Sequence, residues 1–279
     1  MKRDFTYTTA EGHQTKMTLF GSELPADRPC IVYFHGFKGF KDWGFVPYLA
    51  ETLSSQGFRV LTYNFSHNGI GANPIEFTEL DRFRDNTFSR EVAEAREVVQ
   101  AGATGQLFEV APGVAVGVIG HSRGGGIALL ACADLPPVKA VCTWAAVATF
   151  FRYPEAVLAD WKEKGVLDIM NSRTGQVMPL GWQLYEDLFQ HGEGELNIEK
   201  AVRALEIPLA VVHGVADETV ALADARQIFH WATSPAKVLH EIAGAGHSFG
   251  AKHPFAGPNA MLDEALDYTA QFFSHHLNA

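Results

Sequence analysis

The chain alternates between short apolar runs and longer segments in which apolar residues recur at helical spacing. Residues 30–34 (CIVYF) form a continuous apolar run, which is typical of a strand buried on both faces. In residues 87–101, Val92, Ala95 and Val98 recur with helical periodicity and charged residues lie between them. The repeated change between these two patterns predicts a mostly parallel sheet that is covered by helices on both faces.

The same pattern predicts about eight strands, and the first two form a hairpin around Glu11-Gly12. The predicted strands are residues 5–9, 15–20, 30–34, 58–63, 114–119, 140–144, 209–213 and 238–242. The predicted helices are residues 45–55, 87–101, 221–231 and 260–275, together with a helix that begins after Ser122. Because crossovers between parallel strands are right-handed, the carboxyl ends of these strands meet at one edge of the sheet, where ligands bind.

Residues 146–200 interrupt the alternation, because they are rich in aromatic residues and show no clear strand. We therefore predict an α/β core of residues 1–145 and 201–279 that carries a small lid at residues 146–200. The aromatic side chains of the lid favour a partly apolar substrate. Each of them could instead pack the lid onto the core.

One segment of the predicted core carries the strongest chemical signal. In residues 113–130 (GVAVGVIGHSRGGGIALL), an apolar strand ends at Gly120 and a helix follows Gly124, with Ser122 between them. A strand, a sharp turn and a helix with the sequence G-x-S-x-G predict a nucleophile elbow. Side chains at positions 120 and 124 would collide with the turn. A dinucleotide-binding turn is the rival interpretation, but the spacing of these glycines does not match G-x-G-x-x-G.

A serine nucleophile needs a base and an acid that orients the base. Asp217 lies in the loop after the seventh predicted strand, and His247 lies in a glycine-rich loop after the eighth. The chain order Ser122, Asp217, His247 is the order of nucleophile, acid and base expected when the nucleophile lies on such an elbow. Three alternatives stay open: Asp217 only caps the following helix, Glu218 is the acid, or His247 only packs its loop.

Acyl transfer also needs donors for the oxyanion, and oriented backbone N–H groups serve best. We predict the N–H of Arg123, directly after the nucleophile, and the N–H of Phe37 in residues 35–39 (HGFKG). The Phe37 side chain could still pack into the core, because the donor is the backbone. His35 and His213 also end predicted strands, and we interpret both as turn residues because a glycine follows each.

Taken together, these motifs span nearly the whole chain, and the sequence resembles the α/β-hydrolase-fold serine hydrolases. The resemblance is closest to cinnamoyl/feruloyl esterase-like hydrolases and to the catalytic domains of acylaminoacyl and prolyl oligopeptidases. It implies that Ser122 is the nucleophile, with Asp217 and His247 as its partners. It also implies that Phe37 and Arg123 form the oxyanion hole. The motifs are His-Gly-Phe at 35–37, Gly-His-Ser-Arg-Gly-Gly at 120–125, His-Gly-x-x-Asp-x-x-Val at 213–220 and Gly-x-Gly-His-Ser-Phe at 244–249.

The proteins that the sequence resembles differ in their inserted segments and in their nucleophile, and these differences favour the esterases. The esterases carry a small insertion after the sixth strand, which residues 146–200 resemble, whereas the oligopeptidases usually add a propeller for which 279 residues are too few. Dienelactone hydrolases share the fold but use a cysteine nucleophile, whereas this chain has Ser122.

We therefore expect a serine carboxylesterase that hydrolyses small to medium esters, aryl or hydroxycinnamoyl esters included, through an acyl-enzyme intermediate. An amidase or peptidase and a thioesterase on the same triad are the alternatives, and a non-catalytic binding module and a nicotinamide-dependent oxidoreductase are more remote ones. We expect no cofactor and a small-molecule substrate. The predicted substrate contacts are His35, Gly36, His121, Trp144 and Trp182.

Length, charge and composition restrict the domain count, the partners and the location of the protein. A length of 279 residues suits one large α/β domain or two small ones, and the net charge of −10 argues against nucleic acid and weakly against anionic membranes. Three cysteines, without metal-ligand spacing, suggest reduced thiols and no metal site. The N-terminal segment lacks the apolar region of a signal peptide, and no apolar run approaches the roughly 18 residues of a membrane span. We therefore expect a cytoplasmic protein without a membrane partner; no pattern predicts an oligomeric state.

Overall fold

The computed structural model describes residues 1–107 and 110–277 of the chain, and these form ten strands and nine helices. The strands are β1 (Lys2–Thr8), β2 (Gln14–Phe20), β3 (Cys30–Phe34), β4 (Arg59–Tyr63), β5 (Val116–His121), β6 (Val138–Trp144), β7 (Val166–Asn171), β8 (Gln176–Gly181), β9 (Leu209–Gly214) and β10 (Lys237–Ile242). The helices are α1 (Val46–Ser55), α2 (Leu80–Arg84), α3 (Phe88–Ala103), α4 (Arg123–Cys132), α5 (Glu155–Lys164), α6 (Gln183–His191), α7 (Ile198–Ala204), α8 (Leu222–Trp231) and α9 (Ala260–His276).

Eight of the strands form one sheet in the order β1-β2-β4-β3-β5-β6-β9-β10. The pairs β1–β2 and β2–β4 are antiparallel, and every pair from β4 to β10 is parallel. Helices α1 and α9 contribute to the apolar core on one face of the sheet, and α3, α4 and α8 contribute to the core on the other face. The predicted fold class, a mostly parallel sheet of about eight strands flanked by helices, is confirmed.

The apolar patterns placed the core elements well, because each pattern reflects where the element lies in the sheet. All five residues of β3 are buried, as its continuous apolar run requires between β4 and β5. Helix α3 begins after Thr87, whose side chain accepts a hydrogen bond from the N–H of Arg90 at 3.2 Å and so caps the helix.

The prediction that residues 146–200 contain no strand is wrong. Strands β7 and β8 form an antiparallel hairpin of their own, in which Asp168 faces Pro179. A proline inside a strand argues against a central position, but a two-stranded sheet leaves one side of each strand without a partner and so accommodates it. Helices α2, α5, α6 and α7 were likewise not predicted.

Aromatic side chains pack the inserted segment together. Trp161 is fully buried and its indole N–H donates to the carbonyl of Leu180 at 2.8 Å. The rings of Tyr153, Trp182 and Tyr185 lie against that indole with centroids 5.2–5.9 Å away. Several aromatic residues of the segment therefore pack on one another inside the insertion, an arrangement that neither interpretation predicted.

In residues 1–107 and 110–277, no helix is both long and apolar enough to cross a membrane. The predicted core range ends at residue 279, and its residues 278 and 279 lie outside the described part of the chain.

Candidate active site

A cavity of about 560 Å³ opens at the carboxyl edge of the parallel strands. The loops after β3, β5, β9 and β10 all reach it, because parallel strands end at the same edge. Ser122 and His247 lie in its wall, and so do His35, Gly36 and His121. The loops that carry the predicted chemistry thus meet in one place.

Ser122 occupies a sharp turn between β5 and α4. Its backbone has φ 57° and ψ −122°, a conformation that costs energy for any residue with a side chain. The two flanking glycines allow the turn to form. A Cβ atom at position 120 would lie 2.3 Å from the carbonyl oxygen of Gly124, and one at position 124 would lie 2.4 Å from the carbonyl oxygen of Phe34. The collisions predicted from the sequence are therefore present, and the serine lies at the start of a helix.

We expect Gly124→Ala to lower the free energy of unfolding by roughly 1–3 kcal/mol, because its Cβ meets backbone atoms of β3 that cannot move aside. Gly126→Ala in the same helix is the matched control, since its Cβ meets only side-chain ends at 3.0 Å. Urea denaturation of both variants measures the difference. Equal losses of stability would show that the backbone contact at residue 124 has no special cost.

The side chains of Ser122, His247 and Asp217 form a continuous hydrogen-bonded chain. The Oγ of Ser122 lies 3.0 Å from Nε2 of His247, and Nδ1 of His247 lies 2.8 Å from Oδ2 of Asp217. Ser122 and Asp217 are each 8% exposed, so little water competes for these bonds. This arrangement can carry a proton from the hydroxyl to the imidazole while the carboxylate fixes the orientation of the ring.

Asp217 uses its two oxygens for two different tasks. Oδ1 accepts hydrogen bonds from the N–H groups of Thr219 at 2.8 Å and Val220 at 3.0 Å, while Oδ2 faces His247. Burial alone would raise the pKa of Asp217, but the hydrogen bonds from His247, Val220 and Thr219 lower it below its ordinary value. The N-cap position of helix α8 is Ala221, not Asp217, and Glu218 is exposed.

Three further histidines lie around the site, and burial favours their neutral form. Nε2 of His121 lies 2.9 Å from the carbonyl oxygen of His247, so the donating tautomer would hold that loop. Burial lowers the pKa of His121 to about 3 and the pKa of His35 to about 4. Nε2 of His35 accepts a hydrogen bond from the N–H of Phe65 at 3.2 Å. His213 is completely buried, with Nε2 2.9 Å from the carbonyl oxygen of Val220.

The loop that carries Phe37 lies directly against the serine. A Cβ atom at Gly36 would lie 2.9 Å from the Cβ of Ser122, so only glycine allows this close approach. The guanidinium of Arg123 lies 4.1 Å from the ring centroid of Phe37 and 4.9 Å from that of Phe88. The two residues predicted to supply oxyanion donors are thus linked by their side chains.

Two of the predicted substrate contacts need correction. Trp144 is fully buried beneath the site, where its indole N–H donates to Thr269 Oγ1 at 2.9 Å, so it cannot reach a ligand in the cavity. Trp182 lies outside the cavity wall and packs on Trp161 and Tyr185. The tryptophans were predicted from their type and position, and neither criterion shows which way a side chain points.

Other wall residues were not predicted. Phe150 and Tyr153 carried a weak signal, because they belong to the aromatic insertion. Lys38 directly follows Phe37, the predicted oxyanion donor. The His-Gly-Phe motif before it was therefore a signal that could have placed Lys38 in the cavity wall. Arg173 gave no signal, because the turn between β7 and β8 was not predicted.

A sheet of this order, with a serine on a strained turn after β5 and a histidine after β10, defines the α/β-hydrolase fold. Solved structures share it along almost their whole length. Est1E from Butyrivibrio proteoclasticus, with ferulic acid bound, has 18% identity and a TM-score of 0.74 and covers 97% of this chain and 98% of its own. GrgF from Penicillium sp. sh18 has 18% identity, a TM-score of 0.75 and 99% coverage of both chains. The monoacylglycerol lipase of Paleococcus ferrophilus has 15% identity and a TM-score of 0.69, with 97% and 99% coverage.

The family is also evident in the sequence. Residues 25–190 match the family model described as "Serine aminopeptidase, S33", and the chain belongs to this family of α/β-fold hydrolases. No curated protein matches the chain. The predicted resemblance to the α/β-hydrolases is thereby confirmed.

Proposed function

We propose that the protein is a serine carboxylesterase with Ser122 as nucleophile, His247 as general base and Asp217 as the acid that orients the base. The observation that carries the proposal is the hydrogen-bonded chain of these three side chains, with distances of 3.0 and 2.8 Å, at the wall of a cavity. Such a chain makes a neutral serine hydroxyl nucleophilic when a carbonyl carbon is placed beside it.

The reaction proceeds in two steps. Oγ of Ser122 attacks the ester carbonyl carbon while Nε2 of His247 takes the hydroxyl proton, and the N–H groups of Phe37 and Arg123 stabilise the oxyanion. When the carbon–oxygen bond to the alcohol breaks, His247 gives its proton to the leaving oxygen, and an acyl-enzyme remains. Water then attacks that ester with His247 as base, which releases the acid and the free serine. Each N–H donor contributes about 3 kcal/mol of transition-state stabilisation.

The size and chemistry of the cavity support a small to medium ester. Its volume is about 560 Å³, and Phe40, Phe88, Val147 and Phe150 give it apolar walls. These walls suit a hydrocarbon or aryl group, hydroxycinnamoyl included. We propose residues 146–200 as a lid, because Val147, Phe150 and the hairpin turn after β7 contribute to the wall while β7 and β8 form a separate sheet.

An aminopeptidase is the second candidate, because the matched family is described by that activity. A free peptide N-terminus is a cation and needs a carboxylate to bind it. Among the residues that the structure describes, no Asp or Glu lines the cavity, whereas Lys38 and Arg173 do. These charges repel an ammonium group, so the cavity favours an ester over a substrate with a free amino terminus.

A substrate panel tests the proposal. We expect turnover of 4-nitrophenyl acetate and butyrate, slower hydrolysis of the matching acyl thioesters, and little release of 4-nitroaniline from aminoacyl anilides. Faster hydrolysis of the anilides or thioesters would replace the esterase with one of those activities. Labelling by a fluorophosphonate separates all of these from a non-catalytic binding module, which has no activated serine to label.

We also propose a reducing, cytoplasmic location. Cys30, Cys132 and Cys142 are buried free thiols, which supports a reducing compartment. Burial raises the pKa of the Cys30 and Cys142 thiols to about 12, so neither is reactive at neutral pH.

A further inference from the structure

The cavity wall carries an excess of positive charge. Four cationic side chains contribute to it, and within residues 1–107 and 110–277 no carboxylate does. The four are Lys38, Arg123, Arg152 and Arg173. A cavity with charges of one sign concentrates ligands of the opposite sign.

Two of the four cations have carboxylate partners behind the wall. Arg123 Nη1 lies 3.5 Å from Oε1 of the buried Glu91, and Arg152 Nη1 lies 2.9 Å from Oδ2 of Asp224. Arg152 also donates to the carbonyl oxygen of Thr219 at 3.0 Å. The charges of these two arginines are therefore compensated by the protein itself.

The other two cations have no such compensation. Nζ of Lys38 donates to a backbone carbonyl, that of Met170, at 3.2 Å and lies 5.6 Å from the ring centroid of Phe37. The guanidinium of Arg173 lies over aromatic rings, 5.5 Å from the centroid of Phe40 and 6.0 Å from that of Phe77. In the described part of the chain, no carboxylate comes within 4.0 Å of either group.

Lys38 and Arg173 lie close together in the cavity wall, because Nζ of Lys38 bonds the carbonyl oxygen of Met170, three residues before Arg173. Burial and the charge of Arg173 lower the pKa of Lys38, and burial lowers the pKa of Arg173. Burial and then the Arg173 charge lower the pKa of His253, while the Asp42 charge raises it, and an imidazole ring supplies no negative charge to the pair. Holding two like charges partly buried without a counter-ion costs folding free energy, and such arrangements are concentrated at functional sites.

The structure also holds the backbone of the turn that carries Arg173 in position. The N–H of Arg173 donates to Oδ1 of Asn171 at 3.2 Å, within the turn between β7 and β8. That turn is fastened to the core because Nε2 of Gln176 donates to the carbonyl oxygen of Phe77 at 2.8 Å. Lys38 follows Phe37 in the loop that lies against the serine. The pair is thus part of the same cavity as the proposed nucleophile.

We propose that the physiological ester carries a carboxylate, in its acyl or its alcohol half, that binds between Lys38 and Arg173. The proposal rests on the esterase function proposed above and specifies its substrate class. The planar guanidinium can hold a carboxylate with two parallel hydrogen bonds, and the ammonium adds a point charge. Phe40 beside Arg173 favours a hydrocarbon or aryl chain next to the carboxylate.

The test compares charged esters with neutral esters of the same shape. For the acyl half, these are mono-4-nitrophenyl adipate and 4-nitrophenyl 6-methylheptanoate, in which two methyl groups replace the carboxylate oxygens. For the alcohol half, they are 4-acetoxybenzoate and 4-isopropylphenyl acetate. We expect kcat/KM to favour the charged ester by about 10- to 100-fold in at least one pair, as charge-assisted hydrogen bonds do. A preference below tenfold in both pairs overturns the proposal.

The variants show whether the preference comes from this pair of side chains. In the double variant Lys38→Met, Arg173→Gln, the ratio of the two kcat/KM values is expected to fall to about 1. Arg226→Gln is the matched control, because Arg226 is an exposed arginine bound to Glu241 on the surface, and here the ratio stays unchanged. A preference that survives in the double variant overturns the assignment to Lys38 and Arg173.

A binding experiment separates this proposal from the esterase proposal. Ser122→Ala protein is titrated by calorimetry with monomethyl adipate, 4-acetoxybenzoate and butyl phosphate, with and without the two cation substitutions. Binding of a carboxylate that the double substitution weakens at least tenfold supports the anion site even if no ester is turned over. No binding of either carboxylate, or tighter binding of the phosphate, overturns the carboxylate assignment even if simple esters are hydrolysed.

Discussion

Ser122→Ala is expected to lower kcat for 4-nitrophenyl acetate by a factor of about 10⁴ or more. Without the hydroxyl, no acyl-enzyme forms, and the remaining rate comes from the oxyanion donors acting on a water attack. The backbone consequence is small, because serine and alanine both carry a Cβ at φ 57°. We therefore expect the loss to appear in kcat while the thermal unfolding temperature stays close to that of the natural protein.

The control is Ser55→Ala, at an exposed serine whose Oγ bonds only within its own helix, to the carbonyl oxygen of Thr52 at 2.7 Å. This variant should retain full activity. Initial rates at saturating ester and labelling by a fluorophosphonate give two independent readings. Retention of the natural rate by Ser122→Ala would remove the nucleophile from the proposal, and with it the acyl-enzyme.

Asp217→Asn is expected to lower kcat by a factor of about 10³–10⁴. The hydrogen bonds around Asp217 define how the asparagine would sit. Because Oδ1 accepts from Thr219 and Val220, the amide oxygen takes that place and the NH₂ group faces His247. The NH₂ group donates to Nδ1 of the imidazole, so the ring keeps its proton on Nε2. In that tautomer it cannot accept the proton of Ser122.

The neighbouring acid provides the matched control. Glu218 is exposed, and Glu218→Gln removes the same charge one residue away, so it should leave kcat within about twofold. Steady-state kinetics on 4-nitrophenyl butyrate compare the two variants. A large loss for Glu218→Gln together with a small one for Asp217→Asn would identify Glu218 as the acid instead.

The apolar and polar pattern was sufficient for the elements of the core. Strand β3 has the predicted bounds, and α3 begins at Phe88, directly after the predicted first residue, Thr87, which caps it. The pattern failed in the insertion, where β7 and β8 are short, partly exposed and interrupted by Pro179. Apolar periodicity arises where an element is buried against a large sheet. A partly exposed hairpin outside that sheet therefore shows only weak apolar periodicity.

The tryptophans show the same limit at the level of side chains. Trp144 ends the strand beside the serine, and only the packing of α9 beneath it shows that its indole binds Thr269 and not a ligand. Lys38 and Arg173 lie 135 residues apart and are neighbours only because the hairpin turn folds over the loop after β3.

The sequence by itself determined the alternation of strands and helices, the strained turn at Ser122 and the loops that carry Asp217 and His247. Those features depend on near neighbours along the chain, such as glycine spacing and apolar periodicity. Only the tertiary structure decided which groups meet: the 3.0 and 2.8 Å hydrogen bonds, the buried position of Trp144 and the uncompensated pair of cations. The reason is physical, since a side chain's direction and its distant neighbours depend on the packing of the whole sheet.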